Sequence, residues 1–285
     1  MKQKILKVLI VLLSIAIIFA GILYYAIYIS PERVNIKYDT ITSTKIPKSL
    51  DSVTIGYFSD VYYKSFMNEE RLTKMVEKIK EAKADVILFG GDLLADIAIE
   101  EMSVEDISAL ATILSSIEAP LGKFYVLGDN DCVNEDKKTL VSNILYNSGF
   151  ENLTNRSTKL HNGKMESITL IGLDNCINGN VDIQTALNLT SVENFNVIFT
   201  HTPDPLASLP VENIDLGLAG HSMGGQVRLP GFGAFESIDG AEKYSYGLYT
   251  YNGNIVRISN GLGTKDVDMR LFCDPQFNII VLRKE

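Results

Sequence analysis

The hydrophobic pattern opens on an unbroken apolar run. Between Val8 and Ile29 no residue carries a charge, and Lys2, Lys4 and Lys7 precede the run. As a helix these residues rise about 33 Å, enough to cross a hydrocarbon core of about 30 Å. A cleaved signal has a shorter apolar region and a small-residue cleavage site. This run instead ends in bulky Tyr and Ile residues, so an uncleaved anchor is expected rather than a cleaved signal or a buried soluble helix. The flanking lysines orient it with the N-terminus in the cytoplasm and everything after Ser30 outside. Tyr24, Tyr25 and Tyr28 cluster at the far end, where amphipathic rings favour the interface. The expected organisation is a cytoplasmic stub and transmembrane anchor over 1–30, a polar connector over 31–50 and one domain over 51–285.

Beyond the connector, two periods alternate. The spacing predicts a helix over 68–83: Asn68 is suited to cap it, Glu69 and Glu70 fall in its first turn, and Lys78, Lys80 and Lys83 come late, matching the helix dipole. Leu72, Met75, Val76 and Ile79 make one apolar stripe. A second helix starts at Ser103, where Ser103 and Asp106 have capping-box spacing, and a third runs to about Ser148, stopped by Gly149. Between them lie the short apolar runs TIGYF, VILF and KFYVL, and later VIFT and LGLA. Near-continuous apolar strands alternating with helices imply a mostly parallel sheet covered by helices. From Gln226 onward, Gly- and Tyr-rich short runs predict antiparallel strands.

Each of these five runs leads into a side chain able to ligate a metal: Asp60, Asp92, Asp129, His201 and His221. Parallel strands bring such residues to one sheet edge, the carboxyl edge, where α/β folds bind ligands. Singly, an Asp there is as readily a helix cap and a His as readily a hydrogen-bonded core residue; five at equivalent positions point to a site. The third histidine, His161, falls in a polar HNGK turn and reads as a surface residue. The composition fits a globular domain, with 46% hydrophobic and 21% charged residues. The formal charge of −9 argues against a nucleic-acid partner, which needs clustered Lys and Arg. Three cysteines without a CxxC pair exclude a disulfide framework and a cysteine zinc site, and Cys132 reads as a small hydrophobe. Gly220-His221-Ser222-Met223-Gly224 spells G-x-S-x-G, but helix breakers follow it and no later histidine completes a triad, so a serine hydrolase is set aside.

In order, Ser59-Asp60-Val61-Tyr62, Gly91-Asp92, Gly128-Asp129-Asn130-Asp131, Thr200-His201 and Gly220-His221-Ser222-Met223 resemble the motif series of the calcineurin-like metallophosphoesterases. Gly224-Gly225-Gln226-Val227-Arg228-Leu229-Pro230, Asn260-Gly261-Leu262-Gly263-Thr264 and Cys273-Asp274-Pro275 further resemble their bacterial membrane-anchored, YkuE-like branch. The resemblance covers roughly residues 50–285. It implies an α/β fold with a β-sandwich core flanked by helices, preceded here by one N-terminal transmembrane helix. It also implies two metal positions sharing the Asp that Asp92 matches.

The departures from that pattern shape the functional expectation. The first metal position would take Asp60, Tyr62 and Met223, where the family has Asp and two His. A thioether is a soft, weak ligand, and a phenol near its ordinary pKa of about 10 stays protonated without a strong metal beside it. A second metal is therefore expected to be weak or missing, with Asp60 the weaker ligand. The other position takes Asp92, Asp129, His201 and His221, two carboxylates and two imidazoles that suit one Zn, Mn or Fe ion. Asn130 stands where the family has its catalytic histidine; it can donate a hydrogen bond but cannot transfer a proton. Two readings follow. One is a hydrolase of phosphoesters or pyrophosphates at the cell membrane, acting through a single metal on a phosphorylated envelope lipid or a nucleotide-linked substrate. The other is a catalytically inactive relative that serves as a binding or scaffold module for a protein partner.

Overall fold

The computed structural model describes residues 2–96, 101–210, 212, 214–234, 238–251 and 254–285. Helix α1 (Lys2–Tyr24) is exposed along its whole length and has no acidic residue in its first turn. Together with the turns that extend it to Glu32, it is the one described helix long and apolar enough to cross a membrane, with a mean hydropathy of 2.9 in its most apolar window. Its end is tied to the rest of the chain. Ala26 and Ser30 are fully buried, the Arg270 amide donates to the Ala26 carbonyl (2.9 Å), Arg71 Nη2 donates to the Pro31 carbonyl (2.6 Å), and Ser30 Oγ donates to Asp274 Oδ1 (2.6 Å).

The segment expected to be a connector holds strand β1 (Asn35–Ser43). Its sequence, NIKYDTITS, is mostly polar because it forms a sheet edge with one side in water. Then β2 (Thr54–Phe58), α2 (Glu69–Glu81), β3 (Val86–Phe89), α3 (Val104–Ser115), β4 (Lys123–Tyr125), α4 (Glu135–Asn147) and β5 (Glu151–Asn152) alternate as the periodicity implies. The caps also fall where expected: Asn68 accepts from the Arg71 amide, and Ser103 and Asp106 form a reciprocal capping box. Next come β6 (Arg156–His161), β7 (Ser167–Gly172), β8 (Asn196–Thr200), β9 (Leu216–Ala219), β10 (Arg228–Leu229) and β11 (Gly233–Ala234). The chain closes with β12 (Gly247–Tyr251), β13 (Asn254–Ile258) and β14 (Gln276–Lys284).

The alternation alone suggested one mostly parallel sheet. The strands instead divide between two six-stranded sheets, ordered β1-β14-β2-β3-β4-β5 and β12-β13-β9-β8-β7-β6, with β10 and β11 as a separate antiparallel pair. Alternation cannot fix which sheet a strand joins, because a buried strand in a two-sheet sandwich has the same two apolar faces. Ile55, Tyr57, Val86, Leu88 and Phe124 face Leu170, Val197, Phe199, Leu216 and Leu218 across the space between the sheets. Phe58, Ile87 and Phe89 point the other way, onto Leu72, Met75, Val76 and Ile79 of α2 and Leu110 and Leu114 of α3. Burying one such side chain contributes about 1.5–3 kcal/mol, so both faces of β2 and β3 are committed. As expected, the C-terminal third has antiparallel pairs, β12 with β13 and β14 with β2, although β13 also runs parallel to β9.

Candidate metal centre

The C-terminal ends of β2, β3 and β4 in one sheet, and of β8 and β9 in the other, meet at one end of the sandwich. Tyr57 Oη donates to the Thr200 carbonyl (3.1 Å) and ties the two sheets together behind this point. Three of the five side chains at these ends sit on left-handed backbone: Asp60 (φ 55°), Asp92 (φ 58°) and His221 (φ 65°), flanked by Tyr62 (φ 51°) and Met223 (φ 49°). Non-glycine residues rarely adopt such angles, and each one costs of order 1–3 kcal/mol unless its surroundings enforce it. Here the loops enforce it. The Asp60 amide donates to the Gly91 carbonyl, the Val61 amide to the Asp92 carbonyl and the Gly263 amide to the Asp60 carbonyl. Gly91, at φ 93°, passes so close to the next loop that a Cβ would lie 2.3 Å from the Gly128 nitrogen. Only glycine fits there.

The five side chains converge. His201 Nε2 lies 3.0 Å from Asp129 Oδ1, 3.3 Å from Asp92 Oδ2 and 4.0 Å from Asp60 Oδ1. His221 Nδ1 lies 2.9 Å from Asp129 Oδ1 and 3.2 Å from His201 Nε2. Each imidazole has its outer nitrogen against a backbone carbonyl: His201 Nδ1 is 2.7 Å from Gly90 O, and His221 Nε2 is 2.7 Å from Asp239 O. A carbonyl only accepts, so these nitrogens carry hydrogens, and the inward nitrogens are the ones that can give a lone pair to an ion once they are unprotonated. Asp60 is oriented by Ser59 Oγ, which donates to Oδ2 at 2.5 Å, and by the His221 amide.

This donor set fits a cation. Asp129 Oδ1 is buried and, despite both imidazoles beside it, accepts no aligned hydrogen bond. Burial opposes charge on Asp129, yet the two histidines outweigh it and hold its carboxyl well below the usual range. Burial alone would lower the pKa of His201, but Asp92, Asp129 and Asp60 raise it well above the ordinary histidine value. Positive charge is what this cage attracts. Asp129, His201 and His221 form one group able to hold an ion; Asp60, Asp92 and His201 form another.

The remaining expected positions are occupied differently. Tyr62 is buried, and its hydroxyl donates to Asp92 Oδ2 at 2.7 Å. Burial, then the charges of Asp92 and Asp60, raise its pKa well above the ordinary tyrosine value, so it is a neutral phenol. Met223 packs with Tyr62 and Ala95 in a small apolar cluster. The Asn130 amide nitrogen donates to Asp92 Oδ1 (3.0 Å) from the backbone, while its side chain donates to the Leu94 carbonyl (2.6 Å) and accepts from Lys137 Nζ (3.2 Å). His161 lies apart, on the exposed end of β6.

No family model matches the chain. It is 26% identical over 265 residues to the uncharacterised metallophosphoesterase YkuE of Bacillus subtilis, covering 91% of this chain and 89% of YkuE. Phosphodiesterase YaeI of Escherichia coli is 26% identical over 230 residues, covering 80% and 81%. A transmembrane protein with metallophosphoesterase domain from Danio rerio is 24% identical over 268 residues, covering 89% of this chain and 58% of that protein. Over most of its length the chain is thus similar to proteins named as metallophosphoesterases. Metallophosphoesterases are metal-dependent, and this chain has candidate ligand groups at the junction of its two sheets.

The motif reading gave no role at this site to Asp131, which lies within a motif, or to Lys137 and Lys265, which lie outside the motifs. Asp131 accepts from the amides of Asp92, Leu93 and Gly128 and so binds two ligand loops together; burial beside Asp92 pushes its carboxyl up to about 6. Lys137 is buried on α4 with its ammonium on the Ala95 carbonyl (2.7 Å) and Asn130. Its position in the first turn of an amphipathic helix gave no sign of this. Lys265 stands over the Tyr62 ring, 5.8 Å from its centroid, in a cleft of about 180 Å³ shared with His221, Ser222, Met223 and Gln226.

A proton on His201 and a metal ion compete for the same nitrogen. Because the carboxylates hold its pKa high, metal affinity should fall as pH drops. We expect the association constant for Zn or Mn to rise about tenfold per pH unit between about pH 6 and 7, the signature of one displaced proton. Metal titrations of the detergent-solubilised chain at several pH values measure this slope; a flat profile would mean that no ligand must lose a proton.

Proposed function

We propose that the chain is a membrane-anchored hydrolase of phosphoesters or pyrophosphates that works with a single divalent ion, Zn, Mn or Fe. The observation that carries this reading is the arrangement of two imidazoles, each fixed by a backbone carbonyl, whose inward nitrogens meet at Asp129, with His201 also facing Asp92. An ion held by Asp92, Asp129, His201 and His221 would supply positive charge for a phosphoryl oxygen and lower the pKa of a water. The chain's own residues supply the rest. Tyr62 fills the first metal position with a neutral hydroxyl and keeps Asp92 oriented. Lys265 provides an exposed cation over the cleft, suited to a phosphate oxygen. Asp60, fixed by Ser59 and the His221 amide, faces the cage and can hold a water. For the anchor, the support is the exposed apolar helix, and we read its orientation from the lysines at its start, which puts the domain outside the cytoplasm.

A second reading, a metal-binding module without catalysis, is favoured by Asn130. Its side chain is occupied by Leu94 and Lys137, so no proton donor faces a leaving group from that position. General acids contribute typically 10²–10⁴-fold. Metal analysis together with hydrolysis of a generic phosphodiester separates the two readings: metal with turnover supports the hydrolase, and metal without turnover the module. Combining Tyr62→His, Asn130→His and Met223→His should add a second ion and raise turnover about 10²-fold or more. An unchanged rate with two ions bound would place the defect in substrate binding instead.

A further inference from the structure

A cavity of about 640 Å³ lies where the apolar helix meets the domain. Tyr25 forms one wall; Lys37, Arg257, Tyr246, Phe272 and Asp274 are among the others. The metal cage is not part of it. Depth follows from the chain itself: the apolar run ends at Ile29, and Tyr25 precedes that end by about one helical turn. In a bilayer this places the cavity at the level of the lipid phosphates. The helix cannot swing away from it, because Ala26, Ser30 and Pro31 are bonded to Arg270, Asp274 and Arg71.

The walls suit an anion with an apolar tail. Arg257 is only 5% exposed. One nitrogen, Nη2, pairs with Asp39 Oδ1, Nε is buried without an acceptor, and its guanidinium has no further partner among the described residues. Lys37, exposed on β1, has no partner for its ammonium among the described residues. The one carboxylate on the wall, Asp274, is already engaged by Ser30 Oγ. Phe272, 59% exposed on left-handed backbone (φ 53°), and Tyr246, 39% exposed, offer apolar surface at the rim. A buried guanidinium with unused donors beside a free ammonium is the chemistry that receives phosphate.

We propose that this cavity is a binding site for the phosphate-bearing headgroup of an anionic membrane phospholipid, held by Lys37 and Arg257 at the foot of α1 with an acyl chain alongside the helix. This rests on the membrane-anchored reading but not on catalysis. Bound there, a lipid would fix the height and tilt of the domain over the bilayer.

The test is native mass spectrometry of the full chain released from bilayers of equal phosphatidylglycerol and phosphatidylcholine. One retained phosphatidylglycerol per chain is expected, with retention weakened about tenfold or more in Lys37→Glu, as for loss of one charge-assisted contact. Arg257→Lys, which keeps the charge toward Asp39, should weaken it less. Metal content and phosphodiester hydrolysis should be unchanged in Lys37→Glu. Retention absent, or equal in all three proteins, overturns the site. Soluble glycerol phosphate that raises the melting temperature of the detergent-solubilised chain as much as short-chain phosphatidylglycerol does would make it a free-phosphate site and overturn the lipid assignment. Release of the chain from membranes by carbonate without detergent would instead overturn the anchor, whereas lipid retention without turnover would overturn only the hydrolase reading.

Discussion

His221→Ala is expected to reduce bound metal from one ion per chain to nearly none and phosphodiester hydrolysis by about 10²-fold or more. The imidazole faces the cleft and is not part of the hydrophobic core, so its removal should leave the two sheets intact. What is lost is one of four donors, together with the fixed tautomer that Asp239 imposes through Nε2. An ion at 100 times its Kd stabilises a fold by about 2.7 kcal/mol. The wild-type melting temperature should therefore fall on adding chelator, and that of His221→Ala should not. Element analysis and melts with and without chelator make the comparison; retained metal and an unchanged rate in the variant would exclude His221 as a ligand.

Arg270→Leu should cost about 3 kcal/mol or more of stability, because several buried carbonyls lose a charged donor. Arg270 is fully buried. Its Nη1 donates to the carbonyls of Asn260 (2.7 Å), Met223 (3.1 Å) and Cys273 (3.2 Å), and Nε and Nη2 both reach Gly263. Leucine fills some of the volume but leaves the Asn260, Gly263 and Cys273 carbonyls without this donor, each costing about 1–3 kcal/mol if it finds no water, whereas Met223 keeps the Gln226 amide and Cys273 Sγ. Those carbonyls belong to the loops that back Asp60 and Met223, and the Arg270 amide also donates to Ala26 at the end of the apolar N-terminal helix. Urea unfolding measures the loss; a change below about 1 kcal/mol would show that water replaces the guanidinium.

Local signals carried most of the helices. Asn68, Ser103 and Gly149 mark ends that the backbone respects, because caps and left-handed stops act within a turn. The five candidate ligand positions were legible because each closes an apolar run. Their division between two sheets was not, since pairing of β8 and β9 away from β2–β4 is a choice among equally apolar strands. The edge strand β1 was missed for a related reason: it pairs with β14, more than two hundred residues later, and its polar sequence reads as a linker. At the site, substitution patterns identified Tyr62, Asn130 and Met223 as departures, but not that Tyr62 would donate to Asp92 or that Lys137 would occupy Asn130. A buried arginine or lysine runs against residue preference, so neither Arg270 nor Lys137 could be read from composition.

The left-handed turns at Asp60, Asp92 and His221 set an order of filtering for any library made at these positions. Backbone compatibility would be screened first and ligand chemistry second, with Asn and Gly passing the first screen and Val or Ile failing it before a metal is ever offered. Exchange of one donor type for another would therefore succeed more readily at Asp129 and His201, which lack this restriction, making them the natural entry points for retuning which ion the chain prefers.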